Sequence, residues 1–150
     1  MNKPLQITRI RDLSKFSITD FNKLLDEGTI WDSEQGKRFI ENSDNALFIA
    51  FWEENAAGFL TAHRLQRFDK RKAEILLYEI GVHPNYRRRG IGKALVEEVK
   101  KWAKEVDADE VWVLTEKDNE AAMALYKSTN GIQEVPETIM WIYKLNSNMD

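Results

Sequence analysis

The 150-residue chain has no cysteine, which excludes disulfides, thiolate metal sites and a cysteine nucleophile. Its two histidines, His63 and His83, lie far apart in sequence with no closely spaced carboxylate partners. A catalytic zinc, or any other bound metal, is therefore not expected. No apolar run approaches the ~18 residues of a membrane span, and the opening "MNKPLQITRI" lacks the apolar core of a signal peptide. These absences point to a soluble, cytoplasmic protein with no membrane partner. Proline is scarce, at 3 residues, and no repeat, linker or low-complexity segment interrupts the chain. With 43% hydrophobic residues, residues 1–150 read as a single domain with one core.

What is present is unevenly charged. Residues 70–101 carry nine Lys/Arg against four Asp/Glu, a local +5, whereas residues 102–150 carry four against ten, a local −6. A segregated field of this kind suits a small anionic ligand in one place and a cationic one in another. Nucleic acid would call for a basic excess over a broad face, so no nucleic-acid partner is expected.

The order of elements follows from periodicity. Residues 5–10 alternate as a first strand, and "SITDFNKLLDEG" offers Ser17 or Thr19 as a cap, Phe21, Leu24 and Leu25 at helical spacing, and Gly28 as a stop. A second short helix runs through "SEQGKRFIEN" with Phe39 and Ile40 inward. Residues 46–53 and 58–66 form a hairpin closed by "ENAAG". "AEILLYEIGV", residues 73–82, is apolar on both faces and belongs in the middle of a sheet. Ile91, Leu95, Val99, Trp102 and Val106 then mark the longest amphipathic helix. "EVWVLT" reads as a strand, "NEAAMALYKSTNG" as a helix opened by Asp118 or Asn119 and closed by Gly131, and "ETIMWIYKL" as a final strand. Trp31, Trp52, Trp112 and Trp141 fall at core positions and receive no role.

The stretch "YRRRGIGKAL" joins the central strand to that helix. At such a junction several backbone N–H groups have no intrahelical partner, and the helix start carries partial positive charge. Gly90 and Gly92 leave the backbone unprotected, and Arg87, Arg88 and Arg89 add charge and forked donors. The combination makes a phosphate cradle. It is not a P-loop, since GxxxxGK[ST] is missing, nor a dinucleotide fingerprint, since GxGxxG is missing.

With its flanks, this stretch resembles the GNAT superfamily of N-acetyltransferases, whose signature is [QR]-x-x-G-x-[GA]. Arg87, Gly90 and Gly92 fit that signature, after the approach "IGVHPNYR". Asn119, Ala122 and Tyr126 match the family's N-x-x-A-x-x-x-Y. Within the superfamily, "LQRFDKRKAEILLYEIGVHPNYRRRGIGKALVEEV" and the short section from "GIQEV" to "ETIMWIYKL" are similar to the aminoglycoside 3-N-acetyltransferases. The resemblance implies an α/β (α+β) fold, with a mixed, mostly antiparallel central sheet flanked by helices and splayed at its fourth strand. It implies acetyl-CoA as co-substrate and a small primary amine as acceptor. The N–H groups of Arg88, Arg89, Gly90, Ile91, Gly92 and Lys93 would hold the pyrophosphate. The main chain of Ile80, Gly81 and Val82 would pair with the pantetheine arm like an added strand. Gly81 is the expected site of a bulge that opens the cleft.

Acetyl transfer to an amine requires removal of a proton from the ammonium, polarisation of the carbonyl and stabilisation of the departing thiolate. By the family motif Tyr126 is the proton donor to sulfur; by spacing alone it reads rather as a core tyrosine, and Asn119 as a helix cap. Glu79 is a carboxylate in an apolar strand, so it either faces a wet cleft as base or substrate anchor, or pairs with a cation such as Arg64. Strand alternation puts Glu79 with Ile75, Leu77 and Gly81 on one face. The N–H of Val82 is the candidate polarising donor, His83 reads as a loop residue and His63 as a reserve base.

Asp26, Glu27, Asp32 and Glu34 could form an acidic acceptor wall or a solvated helix face. The leading function is a small-molecule amine N-acetyltransferase of aminoglycoside type. The alternatives are a protein or peptide N-acetyltransferase and a non-catalytic acyl-CoA-binding module. The apolar "TIMWIYKL" would permit a homodimer.

Overall fold

The computed structural model describes residues 3–15, 24 and 32–146. Five strands form one sheet in the order β1-β2-β3-β4-β5. β1 (Leu5–Arg9), β2 (Asn45–Trp52), β3 (Asn55–Leu65) and β4 (Glu74–Val82) are successively antiparallel, and β5 (Val111–Trp112) runs parallel to β4. The helices are α1 (Ser33–Glu41), α2 (Ile91–Glu105) and α3 (Glu120–Ser128). The sheet is thus mixed and mostly antiparallel, as the resemblance implied. Among the described residues no helix is long and apolar enough to cross a membrane.

Alternation along the strands divides the apolar residues between two faces. On one face Ala46, Phe48, Ala50, Leu60, Ala62, Ile75 and Leu77 pack against Ile91, Leu95, Val99 and Trp102 of α2. Small residues on β2 and β3 leave room for the helix, and Phe48 meets Trp102 edge to face with ring centroids 6.3 Å apart, within the roughly 4.5–7 Å typical of such pairs. Each of the large α2 side chains contributes about 1.5–3 kcal/mol by leaving water. On the opposite face, among the described residues, Ile10, Leu47 and Ile49 are covered by Phe39 and Ile40 of α1 and by Leu13 and Leu24. Phe39 and Ile40 therefore point inward as the helical spacing predicts.

Several boundaries differ from the sequence reading. The helix expected over "SITDFNKLLDEG" lies, apart from Leu24, outside the described residues. The β2–β3 hairpin turns at Glu53 and Glu54, not over "ENAAG"; Glu53 takes the left-handed conformation (φ 57°), and Asn55, Ala56 and Gly58 already pair with β2, with Ala57 the extra residue at a register shift. "EVWVLT" pairs with β4 only at Val111 and Trp112, because β4 changes course immediately beyond that contact. The segment "ETIMWIYKL" is not a strand. A turn over residues 135–138, in which the Thr138 N–H donates to the Val135 carbonyl at 3.2 Å, leads into irregular chain whose residues are exposed. Trp141, assigned to the core by pattern, is 82% exposed. Trp52 and Trp112 are half-buried, and Trp31 lies outside the described residues.

Candidate active site

The site begins with one extra residue in β4. Thr61 of β3 pairs with Glu79, but the next residue, Ala62, pairs with Leu77, so Tyr78 is bulged out of the ladder. The expected bulge at Gly81 is therefore found at Tyr78. Gly81 serves a different purpose: a Cβ there would lie 2.6 Å from the Phe59 ring, which covers the position a side chain would need.

The bulge reverses the facing of every later residue. Ile80 and Val82, not Glu79 and Gly81, continue the Ile75–Leu77 face against the α2 core. Glu79 is consequently exposed, and its Oε2 accepts a hydrogen bond from Thr61 Oγ1 at 2.7 Å. The alternative pairing with Arg64 does not form, since Arg64 sits 3.8 Å from Asp44 instead.

Backbone hydrogen bonding changes sides with the bulge too. His83 N–H donates to Ala57 O at 2.8 Å, and in an antiparallel ladder the bonded pairs alternate. Gly81 therefore exchanges bonds with β3, while the N–H and C=O groups of Ile80 and Val82 point away from it. On that side β5 has already diverged. The parting strands leave a cleft of about 430 Å³, floored by residues 77–81 and walled by Phe59, Val113, Leu114, Thr115, Asn119, Ala122 and Tyr126.

Asn119 caps α3 by accepting from the Ala122 N–H at 3.1 Å. This fixes the helix start at the cleft, and Tyr126 follows about two turns later on the same side. Tyr126 is half-buried, and burial pushes its phenol up from the ordinary value. Glu79 and Tyr126 thus border one cleft from different elements.

The segment read as a phosphate cradle lies at the end of β4. A short 3-10 turn (Pro84–Tyr86) is capped by His83, whose Nδ1 accepts from the Asn85 N–H at 3.2 Å. His83 is a loop residue, as read. Arg88 (φ 63°) and Gly90 (φ 77°) both adopt the left-handed conformation. For Gly90 that conformation is the reason for glycine, since a Cβ there would meet nothing within 4 Å. At Gly92 the requirement is close packing: a Cβ would sit 3.3 Å from Leu125 of α3. No side chain caps α2, and its ladder starts with Ala94 N–H donating to Gly90 O at 3.0 Å. The N–H groups of Ile91, Gly92 and Lys93 precede that first bond and are available to an anion. Ile91 itself is buried at 1% exposure and anchors the helix end, while Arg87, Arg88, Arg89 and Lys93 are exposed around it. Arg89 lies over Trp52 and Tyr86, at 4.8 and 5.3 Å from the ring centroids.

Other candidates fall elsewhere. His63 Nδ1 lies 2.8 Å from Asn45 Oδ1, and its ring stacks edgewise on Phe39 and Tyr78. Asp32 accepts from the Gln35 N–H at 3.1 Å as the α1 cap, Glu34 is exposed, and neither lines the cleft. Asp26 and Glu27 lie outside the described residues. Sequence reasoning missed Phe59, Thr61 and Tyr78. Tyr78 and Glu79 adjacent in an otherwise aliphatic strand were the available signal, since two consecutive wet positions are incompatible with simple alternation.

Comparison with known proteins agrees with this fold. The family model of the acetyltransferase (GNAT) family matches residues 11–132. Human N-acetyltransferase 8 is 30% identical over 96 residues, covering 64% of this chain and 42% of that protein, so the chain spans less than half the length of this curated relative. Among solved structures, an aminoglycoside acetyltransferase from an uncultured soil metagenomic sample, in complex with trehalose, superposes with a TM-score of 0.82 at 25% identity, over 95% of this chain and 97% of that one. Aminoglycoside N-acetyltransferase AAC(6')-Iy, in complex with the bisubstrate analogue CoA-S-monomethyl-acetylneamine, shares the fold with a TM-score of 0.77 at 21% identity, over 93% and 97%. A ribosomal-protein-alanine N-acetyltransferase from Brucella melitensis biovar Abortus 2308 shares it with a TM-score of 0.71 at 18% identity, over 92% and 99%.

Proposed function

The chain belongs to the acetyltransferase (GNAT) family, and from that premise we propose that it transfers acetyl from acetyl-CoA directly to a primary amine of a small cationic acceptor, most nearly an aminoglycoside. The observation that carries this reading is the alignment of two open backbone surfaces. The outward N–H and C=O groups of Ile80 and Val82 line the parted edge of β4, and the uncapped start of α2 lies just beyond. A ligand that is an extended amide chain ending in a diphosphate fits both at once.

When bound, acetyl-CoA supplies an activated carbonyl carbon that accepts the amine lone pair as its bond to sulfur breaks. Within this reading, the N–H of Ile80, which lines the cleft where Val82 does not, donates to the carbonyl oxygen. Glu79 attracts the cationic acceptor and takes the proton the nitrogen loses, directly or through one water. Thr61, by donating to Oε2, fixes that carboxylate in one orientation. Tyr126 gives the leaving sulfur its proton and recovers one from solvent. Its raised pKa keeps the phenol protonated across the neutral range. Asn119 holds the helix that aims it, and the Arg88 to Lys93 backbone, with Arg87, Arg88 and Arg89, holds the diphosphate.

The acceptor assignment is supported by the similarity to solved aminoglycoside acetyltransferases and by a carboxylate in the cleft. It is tested by thiol release from acetyl-CoA with kanamycin- and gentamicin-type aminoglycosides, polyamines and short peptides. Release with an aminosugar, and mass spectrometry of the product, supports the assignment and identifies the amine. Release with peptides alone replaces the acceptor class, and CoA binding without turnover on the whole panel replaces catalysis with acyl-CoA binding.

A further inference from the structure

Tyr78 borders the cleft beside Glu79 but takes no part in the transfer step. The bulge accounts for its position. Leu77 and Ile80 both face the α2 core, so the residues between them, Tyr78 and Glu79, both leave the opposite face of the sheet, side by side. Simple alternation would have sent one of them inward. On that face each has a partner from β3. Thr61 donates to Glu79, and His63, next on the same face of β3, meets the Tyr78 ring edge to face with centroids 5.4 Å apart.

The His63 ring is itself fixed. Asn45 Nδ2 donates to the Phe39 carbonyl at 3.1 Å, so Asn45 Oδ1 accepts from the His63 Nδ1–H at 2.8 Å, and the Phe39 ring meets the imidazole edge to face at 5.5 Å. A column of ring contacts thus runs from α1 through β3 to Tyr78. His63 can cover at most one face of the tyrosine ring, and Tyr78 remains 62% exposed. A large ring ordered from behind yet left mostly in water has the form of a binding platform. Along β4, Glu79 lies between Tyr78 and Gly81, and the Phe59 ring packs against Gly81. This end of the cleft therefore presents a carboxylate flanked by aromatic rings. Such a set matches an ammonium carried on a rigid saturated ring: the carboxylate takes the charge, and the aromatic faces take the cation and the C–H surface.

We propose that Tyr78 determines acceptor specificity, its open face receiving the saturated ring of an aminosugar while Glu79 holds the ammonium, with His63 as the positioning residue behind it. The proposal rests on the reading of this cleft as the amine acceptor site, and it adds a preference within that class, for cyclic aminosugars over flexible linear polyamines. A linear polyamine reaches Glu79 by charge, but it must give up rotamer freedom to lie along the ring, which a preorganised sugar does not.

Calorimetry on the CoA-bound protein measures acceptor binding apart from turnover, with kanamycin and spermine as probes. Tyr78→Leu should raise the kanamycin dissociation constant about 10-fold, in the range of a partly desolvated cation–π contact, and the spermine constant by no more than about twofold. Tyr78→Phe keeps the ring that His63 holds and should bind both probes like the parent. His63→Leu should weaken kanamycin binding about threefold in the parent and leave it unchanged in the Tyr78→Leu background, a non-additivity that a general loss of stability would not produce. Kanamycin that fails to bind the parent overturns the proposal, as does a Tyr78→Leu variant that binds it like the parent. So do equal losses for kanamycin and spermine, or a Tyr78→Phe variant as impaired as Tyr78→Leu. Kanamycin bound with this dependence on Tyr78 but releasing no thiol from acetyl-CoA would uphold the platform and overturn the acetyl-transfer reading instead.

Discussion

Tyr126 and Glu79 border the same cleft but meet different environments, and the difference sets what each can do. The phenol is half-buried on α3 and holds its proton more tightly than a free tyrosine. The carboxylate is exposed and fixed by one hydroxyl, Thr61. Tyr126→Phe keeps the ring and removes the hydroxyl. It should lower kcat by about 10²-fold, in the range of a general acid, while the dissociation constant for CoA in calorimetry stays within about twofold. Glu79→Gln should raise KM for the cationic acceptor as well as lower kcat; a change in neither would remove Glu79 from the reaction. The phenol also gives a pH signature. Its folded pKa lies above the unfolded value, so its contribution to stability is complete below about pH 10 and is lost as pH rises through the folded value. The alkaline ultraviolet titration step missing from Tyr126→Phe should therefore fall above about 10, and the variant should lose less stability than the parent over that interval.

At the scale of elements, the starts of α1, α2 and α3, the strands β1 to β5 and the Gly90–Gly92 turn were legible in the sequence because each rests on local chemistry. Asn119 as a cap, Pro84 as a stop and the Ile91-Leu95-Val99-Trp102 stripe depend only on neighbours a few residues away. The bulge at Tyr78 was not legible, since one extra residue in β4 is defined by its register against Thr61 and Ala62 of β3. That single shift moved Glu79 off the core face and truncated β5. The last segment misled for a related reason: "ETIMWIYKL" has strand composition, but a strand exists only where another edge receives it. Packing at the element scale is directly testable. Leu95, at 0% exposure between α2 and the sheet, should cost about 2–5 kcal/mol on substitution by alanine, measured by urea denaturation. Gly81→Ala should lower stability by about 1–3 kcal/mol, because the Phe59 ring must move away from the new Cβ.

Over the whole molecule, charge is segregated in accord with the two proposed substrates. The basic stretch, residues 70–101, contains the cradle and the acidic stretch, residues 102–150, contains the helix that carries Tyr126. Attraction between exposed charges weakens as the screening length falls from about 10 Å at 0.1 M salt to about 3 Å at 1 M. The KM for acetyl-CoA should therefore rise steeply between these concentrations, with kcat changed far less. The central claim is that one continuous backbone surface, from Ile80 and Val82 to the start of α2, receives the coenzyme. Its most direct test is a crystal structure with CoA. The account predicts the pantetheine amides paired with Ile80 and Val82 and the diphosphate within 3.2 Å, an ordinary hydrogen-bond reach, of N–H groups between Arg88 and Lys93. Coenzyme bound elsewhere, with those N–H groups facing water, would contradict it.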